Sequence, residues 1–256
     1  MNETIVDLAA IINIINYINK KNKNKTFTNY FKQGLNSTSF NTIWMQNTIA
    51  FLDKEGDFFR LYFYSKNLEE LYEALNGLLI RPTVIDCVTN KFSINLHNVL
   101  LKSGFKKIAL YKRLQNNNFP FYETNKSLLF AEKKELAFLY ERLFTDFDKY
   151  LDHLPTMDKL IEYLQNDQVL VMREDSIISG YIIYRIQGKK VFLNYWFNKG
   201  NPLNSIRLLT NFYGLMNAKG VKSGFVWVSV EKKGVLKVHQ TFGYNFDGLE
   251  DHIYLK

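Results

Sequence analysis

The stretch from residue 190 to 244 alternates strand-like and helix-like segments, and this alternation limits the folds open to the chain. Apolar and aromatic runs at 191 to 197 and 225 to 231 predict two strands, and helical patterns follow at 204 to 219 and 235 to 242. A strand that ends in a polar loop and leads into a helix places free backbone N–H groups at the end of a sheet, where they can bind phosphate. The stretch therefore predicts strands and helices around an anion-binding edge.

A shorter copy of this pattern lies in the first half. Both copies run strand–helix–strand–helix–strand, and both end their last helix with a glycine and an aromatic residue, Gly104-Phe105 and Gly243-Tyr244. Between them, residues 115 to 125 are polar, contain a proline and lack periodicity, as linkers do. The repeat predicts a duplicated domain, with a first domain at 1–114, a linker at 115–125 and a second domain at 126–256.

Five further segments complete the sequence-based prediction. Residues 4–18 place isoleucines and a leucine on one helical face and predict an amphipathic helix. Residues 43–52 and 58–64 predict a hairpin, residues 128–151 a long helix, and residues 168–186 a second hairpin.

The second half, over about residues 126 to 256, resembles the GNAT superfamily of N-acetyltransferases. The matching features are two helices, the hairpin VLVMREDSIISGYIIYRI, the strand VFLNYWF, a loop into a long helix, a strand, and a short helix that ends at Gly243-Tyr244. The first half resembles a truncated, degenerate domain of the same fold. The resemblance implies an α/β (α+β) protein of two tandem acyl-CoA N-acyltransferase-like domains, each a mixed, mostly antiparallel sheet flanked by helices.

The resemblance also implies that acetyl-CoA or another acyl-CoA is the co-substrate. In this family the strand is followed by a loop of the pattern Arg/Gln-x-x-Gly-x-Gly/Ala, whose backbone N–H groups reach the pyrophosphate. The matching positions here are Gly200, Leu203 and Ser205, with the basic residue displaced to Lys199. The cofactor-binding residues that the resemblance implies are Phe197, Lys199, Gly200, Asn201, Leu203, Asn204 and Ser205. In the first copy the loop is almost absent, and we expect no cofactor there.

Two residues are candidates for proton transfer. The family often has a tyrosine four residues before the terminal glycine of the last helix, acting as general acid, and His239 holds that position here. Glu231, at the end of the second strand, is the candidate general base. Asn194 and Tyr195 would line the acceptor pocket. For each residue a structural role is the alternative: packing for His239 and Tyr195, and a surface salt bridge for Glu231.

The composition of the chain limits the classes of partner that we expect. The net charge of +8 is dispersed and favours anionic ligands, but no nucleic-acid motif is present, so nucleic acid is not expected. The single cysteine, Cys87, forms no intrachain disulfide and favours a cytoplasmic protein, and no apolar run is long enough for a membrane span. No residue spacing predicts a metal site.

The predicted reaction is direct acyl transfer, with acetyl the favoured acyl group, to a small-molecule or peptide amine. The first copy would support the fold, cover the cleft or mediate a homodimer. Two alternatives remain at this stage. One is a non-catalytic binding or assembly module of the same fold, favoured by the missing loop glycines, and the other is an aminoacyl-tRNA-dependent transferase.

Overall fold

The chain forms two compact units, and the residues of each are not contiguous in sequence. A computed structural model of the chain describes residues 2–29, 35, 37–77, 80–123, 129–199 and 202–256. The first unit comprises Met1–Leu110 and Glu250–Lys256, and the second comprises Tyr111–Leu249. This division groups the last seven residues with the first unit, whereas the sequence-based division placed them in the second domain.

Within its described residues, the first unit contains three helices and a sheet that is antiparallel except at one strand pair. Its helices are α1 (Leu8–Lys21), α2 (Leu68–Gly77) and α3 (Ile94–Lys102). Its strands are β1 (Asn2–Asp7), β2 (Phe27–Thr28), β3 (Ser39–Trp44), β4 (Thr48–Glu55), β5 (Phe58–Ser65) and β6 (Thr83–Thr89), and β7 (Lys106–Asn116) begins here. The strand order starts β1-β3-β4-β5-β6, with β5 and β6 parallel.

The second unit has helices on both faces of a mixed sheet. Its helices are α4 (Leu136–Asp146), α5 (Met157–Gln165), α6 (Pro202–Ala218) and α7 (Lys233–Thr241). Its strands are the second part of β7, then β8 (Leu129–Phe130), β9 (Val169–Glu174), β10 (Ile177–Gln187), β11 (Lys190–Asn198) and β12 (Ser223–Ser229), and β13 (Asn245–Leu255) begins here. The order is β7-β12-β11-β10-β9-β8, in which β11 and β12 are parallel and the other pairs are antiparallel.

Each copy of the repeat contributes its last strand to the unit built mainly from the other copy. Residues 111 to 116 of β7 pair with β12 in the second unit, and residues 250 to 255 of β13 pair with β6 in the first. The side chains of Ile253 and Tyr254 are buried in the first unit. Periodicity predicts that such strands exist, but it carries no information about which edge they pair with.

The strands and helices predicted for residues 190 to 244 are confirmed, and the anion-binding edge stays a prediction. Strands and helices occur where expected, with ends that differ by one or two residues, so that Glu231 lies two residues beyond the end of β12. α6 and α7 pack on one face of the sheet around Leu209, Phe212 and Met216, and α4 and α5 pack on the other face. The two predicted helices before the hairpin therefore cover the face opposite to α6.

Three other predictions need correction. Residues 4–18 are not one helix, because Asn2–Asp7 pairs with β3 and the Asp7 side chain then caps α1 by accepting from the Ala10 N–H (2.8 Å). The predicted strand at 43–52 is two strands separated by a turn at 45–47.

The predicted long helix at 128–151 is only α4, preceded by the short strand β8 and a 3₁₀ turn. The Glu135 carboxylate accepts from the Glu132 N–H (2.7 Å), and this capping box fixes the start of the helical segment. Within the described residues, no helix is long and apolar enough to cross a membrane.

Candidate active site

The two central parallel strands of the second unit pair over only part of their length. β11 and β12 are in register from Lys190 opposite Ser223 to Leu193 opposite Val226. Beyond that point β11 continues to Asn198 and β12 continues to Ser229, but no residue of one strand pairs with a residue of the other. The strands therefore separate at their carboxyl ends and leave a gap in the sheet, to which backbone polar groups of both strands are adjacent.

A β-bulge lies where this gap opens. β10 pairs Ile183 with Tyr195 and Tyr184 with Leu193, so Asn194 has no residue opposite it. The side-chain amide of Asn194 donates to the Tyr163 hydroxyl on α5 (2.9 Å), which fixes the orientation of the bulge. Bulges re-aim the local backbone and are common beside active sites. Asn194 thus takes part in neither neighbouring ladder.

The α6–α7 side of the gap carries buried nitrogen atoms without partners. His239 lies on the inner face of α7 and is 1% exposed, with its ring edge-on to Trp196 of β11 at a centroid distance of 5.2 Å. The two ring nitrogens of His239 have no hydrogen-bond partner among the described residues. The same holds for Nε1 of Trp196. Burial lowers the pKa of His239 to about 4, so the ring is neutral at pH 7. With such a pKa, His239 neither takes up nor releases a proton near pH 7.

The predicted cofactor residues fall into three groups. Gly200 and Asn201 lie outside the described residues. Phe197 lies in β11 and Lys199 follows its last residue: the Phe197 ring packs on Tyr181 (5.6 Å between centroids), and the Lys199 N–H donates to the Ser179 carbonyl (2.8 Å). The third group lies at the start of α6.

α6 begins with Pro202, a residue favoured at this helix position because its missing N–H is not needed there. Leu203, Asn204 and Ser205 form the first turn, in which Leu203 is 60% exposed and the Asn204 side chain contacts Glu174. First-turn backbone N–H groups have no partner within a helix and can bind anions. Two of the three groups lie within the described residues, and both stand near the end of β11.

The α4–α5 side of the gap holds an open cleft of about 390 Å³. We call it the acidic cleft: residues 145–148, 151 and 152 form one wall, and Tyr111, Ser229, Glu231 and Lys232 form the other. Glu231 is exposed and lines this cleft, two residues beyond the end of β12. The predicted general base therefore borders a space large enough for a small molecule.

Tyr195 lies beneath the loop that forms one wall of the acidic cleft and contacts that loop. Its ring is buried and meets Phe147 edge-on (5.3 Å), and its hydroxyl donates to the carbonyls of Asp152 (3.2 Å) and His153 (2.5 Å). Tyr195 is thus a core residue that orients the loop. The cleft's loop residues carry no repeated motif, and the sequence offered no signal for them beyond their acidity.

One cleft carboxyl is already neutralised. Asp146 is paired with Arg142 and accepts from the Tyr181 hydroxyl (3.1 Å), and burial raises the pKa of Asp146 in spite of these contacts. Among the described residues, no group of three histidine, cysteine, aspartate or glutamate side chains could hold a metal ion.

Comparison with known proteins identifies the architecture. No protein-family model and no curated protein matches the sequence. Among solved structures, a GCN5-related N-acetyltransferase from Sphaerobacter thermophilus matches 82% of this chain and 76% of its own at 11% identity, with a TM-score of 0.59. A GNAT-family acetyltransferase from Colwellia psychrerythraea matches 100% and 99% at 9% identity (TM-score 0.54). A tandem GNAT protein from the clavulanic acid biosynthesis pathway matches 100% and 98% at 8% identity (TM-score 0.56).

The chain has the GNAT fold. The resemblance noted in the sequence and the predicted fold class, a mixed and mostly antiparallel sheet flanked by helices, are both confirmed. Because the GNAT matches cover the chain from end to end, both halves share in this architecture. Identities near 10% establish the fold and leave the chemistry to be argued from the site.

The first unit keeps a shorter version of the parallel strand pair. β5 and β6 are in register only at Phe59 opposite Thr83 and Arg60 opposite Val84. The fully buried Arg60 donates to Glu55 through Nε (3.0 Å) and Nη2 (3.1 Å) and pairs with Asp86, so a buried ion cluster fills this position. The absence of a cofactor from this copy of the GNAT fold stays a prediction.

Proposed function

We propose that the second unit is an acyl-CoA-dependent N-acyltransferase, with acetyl the favoured acyl group. The observation that carries the proposal is the gap between β11 and β12. It has unpartnered buried nitrogens of His239 and Trp196 on one side and a carboxylate-lined cleft on the other. The GNAT fold supports this assignment. A buried polar atom without a partner destabilises a protein by about 1–3 kcal/mol, so its presence at a gap favours a ligand that supplies the partner.

The residues present fit an acyl-CoA. Asn204 and Ser205, in the first turn of α6, would hold the pyrophosphate through backbone N–H groups, and the gap beside Trp196 would hold the thioester. The thioester supplies an acyl carbon activated for attack by an amine. The family's loop glycines are not needed for the helix N-terminus to act, but Leu203 in place of a small residue predicts weaker binding.

The chain's own residues then account for the transfer. The amine nitrogen bonds to the acyl carbon while the carbon–sulfur bond breaks, and the amine proton passes to the Glu231 carboxylate. The backbone N–H at the Asn194 bulge stabilises the oxyanion that forms on the acyl oxygen. His239, neutral at pH 7, donates a hydrogen bond to the leaving sulfur in place of a full proton, which solvent then supplies.

Calorimetric titration with acetyl-CoA and with a long-chain acyl-CoA tests the binding step. We expect measurable heat below about 1 mM ligand, which corresponds to about 4 kcal/mol of binding free energy. Ser205→Glu places a negative charge where the pyrophosphate would lie, and it should weaken binding at least tenfold, whereas Ser205→Ala should not. Absence of heat with either acyl-CoA would contradict the proposal and favour a non-catalytic module.

Thiol release from acetyl-CoA in the presence of amines tests the chemical step. Glu231→Gln should lower the rate about 100-fold, in the range usual for loss of a general base, while acetyl-CoA affinity stays the same. An unchanged rate in this variant would remove Glu231 from the mechanism and leave the binding assignment in place.

A further inference from the structure

The acidic cleft has the position expected of an acceptor site. Its loop wall is tied to β11 through the Tyr195 hydroxyl, and its other wall includes Ser229, the last residue of β12, and Glu231. Both strands have stopped pairing with each other at this level of the sheet. A molecule in the cleft therefore lies beside the gap in which the acyl group is proposed to sit. Its volume of about 390 Å³ is within the range of small-molecule sites.

The charge of the cleft is distinctly negative. Asp148, Asp152 and Glu231 line it, and none of the three forms an ion pair with a described residue. The Asp152 carboxylate accepts from the Tyr111 hydroxyl (3.0 Å) and from the Asp148 N–H (3.0 Å), so its partners are neutral. Lys232 is the cation in the lining, and its ammonium lies over the Phe147 ring (5.8 Å).

Three carboxylates against one ammonium leave about two negative charges for an incoming ligand to balance. The Asp146 carboxyl does not add to this total because Arg142 already pairs with it. The chain as a whole carries a net charge of +8, so this local excess of acid runs against the overall balance. A neutral or anionic acceptor would gain nothing from such a site, and an anionic one would be repelled from it.

We propose that the acceptor is a small polyamine, a molecule with at least two ammonium groups, of which one is acylated beside Glu231 and another is held by Asp148 and Asp152. This inference rests on the proposed function. The apolar part of such an acceptor would lie against Phe147 and Leu151 in the same cleft. One amino group must lose its proton to react, and Glu231 is the carboxylate beside the gap. The remaining ammonium stays charged and supplies recognition.

The test compares acceptors that differ in one group. Thiol release from acetyl-CoA is measured with 1,4-diaminobutane, spermidine, 4-amino-1-butanol and 4-aminobutyrate. We expect kcat/KM for the two polyamines to exceed that for the amino alcohol at least tenfold, and 4-aminobutyrate to be the poorest acceptor. The preference should fall as salt rises, because exposed charges are screened. Equal rates for the amino alcohol, or a preference for the amino acid, would overturn the inference.

Isosteric variants locate the recognition site. Asp148→Asn combined with Asp152→Asn keeps acceptor oxygens for the loop but removes two charges, and it should raise KM for spermidine at least tenfold with little change in kcat. Asp158→Asn, on the exposed first turn of α5, is the matched control and should change nothing. Thermal unfolding of all variants shows whether the loop is intact. A doubly substituted protein that keeps its preference for polyamines would refute the assignment.

Direct titration with spermidine separates the two proposals. Binding that is lost in the double variant supports the cleft assignment even if no acyl transfer is found, in which case only the proposed activity fails. Acyl transfer to 4-amino-1-butanol without spermidine binding at millimolar concentration has the opposite meaning: the activity stands and the polyamine site does not exist.

Discussion

Replacing His239 by leucine should make stability less dependent on pH. In the unfolded chain this histidine takes up a proton near pH 6.5, but in the fold its pKa is about 4. Proton uptake therefore favours the unfolded state, and stability that is full above pH 6.5 is lost as pH falls toward 4. The difference of the two pKa values corresponds to about 3 kcal/mol in total, of which about 2 kcal/mol is lost between pH 7 and 5. The leucine variant lacks this loss.

At pH 7 the same variant should be as stable as the parent or more stable by about 1–2 kcal/mol, because it removes two buried nitrogens without partners. Urea unfolding at pH 7, 6 and 5 measures both effects. His153→Asn is the control, since His153 is exposed and asparagine tolerates its positive φ of 43°. A difference between parent and variant that stays constant with pH would refute the reasoning. Acyl transfer should fall in the leucine variant in spite of its stability.

Three further predictions concern the fold. Deleting residues 250–256 should abolish amide-exchange protection in residues 83–89, which pair with them, and retained protection there would contradict the pairing. Gly224→Ala should lower the free energy of unfolding by about 1–3 kcal/mol, because a Cβ there would lie within 3.0 Å of three side chains. Gly234→Ala, in an open position on α7, should raise the free energy of unfolding by about 0.5–1 kcal/mol. Urea unfolding compares the two variants. Arg60→Met should destabilise the first unit by about 3–5 kcal/mol, since two carboxylates lose their buried partner, and an unchanged unfolding midpoint would disprove that role.

Local chemistry made most elements predictable. The run from 190 to 244 was placed correctly because its strands are aromatic and β-branched, its helices are amphipathic, and Gly243 has the positive φ (88°) that ends a helix. Thr156, a residue type that favours helix starts, caps α5 by accepting a hydrogen bond from the Lys159 N–H (3.3 Å). These are interactions between residues close in sequence, so the sequence contains them directly.

The predictions that were wrong concern segments whose structure depends on pairing with strands distant in sequence. Residues 2 to 7 form a strand because β3 lies available beside them, and six residues are too few for their own periodicity to decide between helix and strand. The pairing of residues 250 to 255 with β6 depends on which strand edge is free, a property of the assembled sheet. Local pattern cannot distinguish one open edge from another.

The candidate site also combines features that are local in sequence with features that depend on distant residues. The sequence alone indicates that a strand, a polar loop and a helix N-terminus occur together, with Glu231 close to the end of the next strand and His239 on the helix that follows. Three features appear only in the folded chain: β11 and β12 separate after Leu193, Asn194 is bulged from its ladder, and a loop about 80 residues before Glu231 forms the acidic cleft with it. The physical reason is that charge and volume in a cleft arise from residues distant in the chain, and packing alone brings them together.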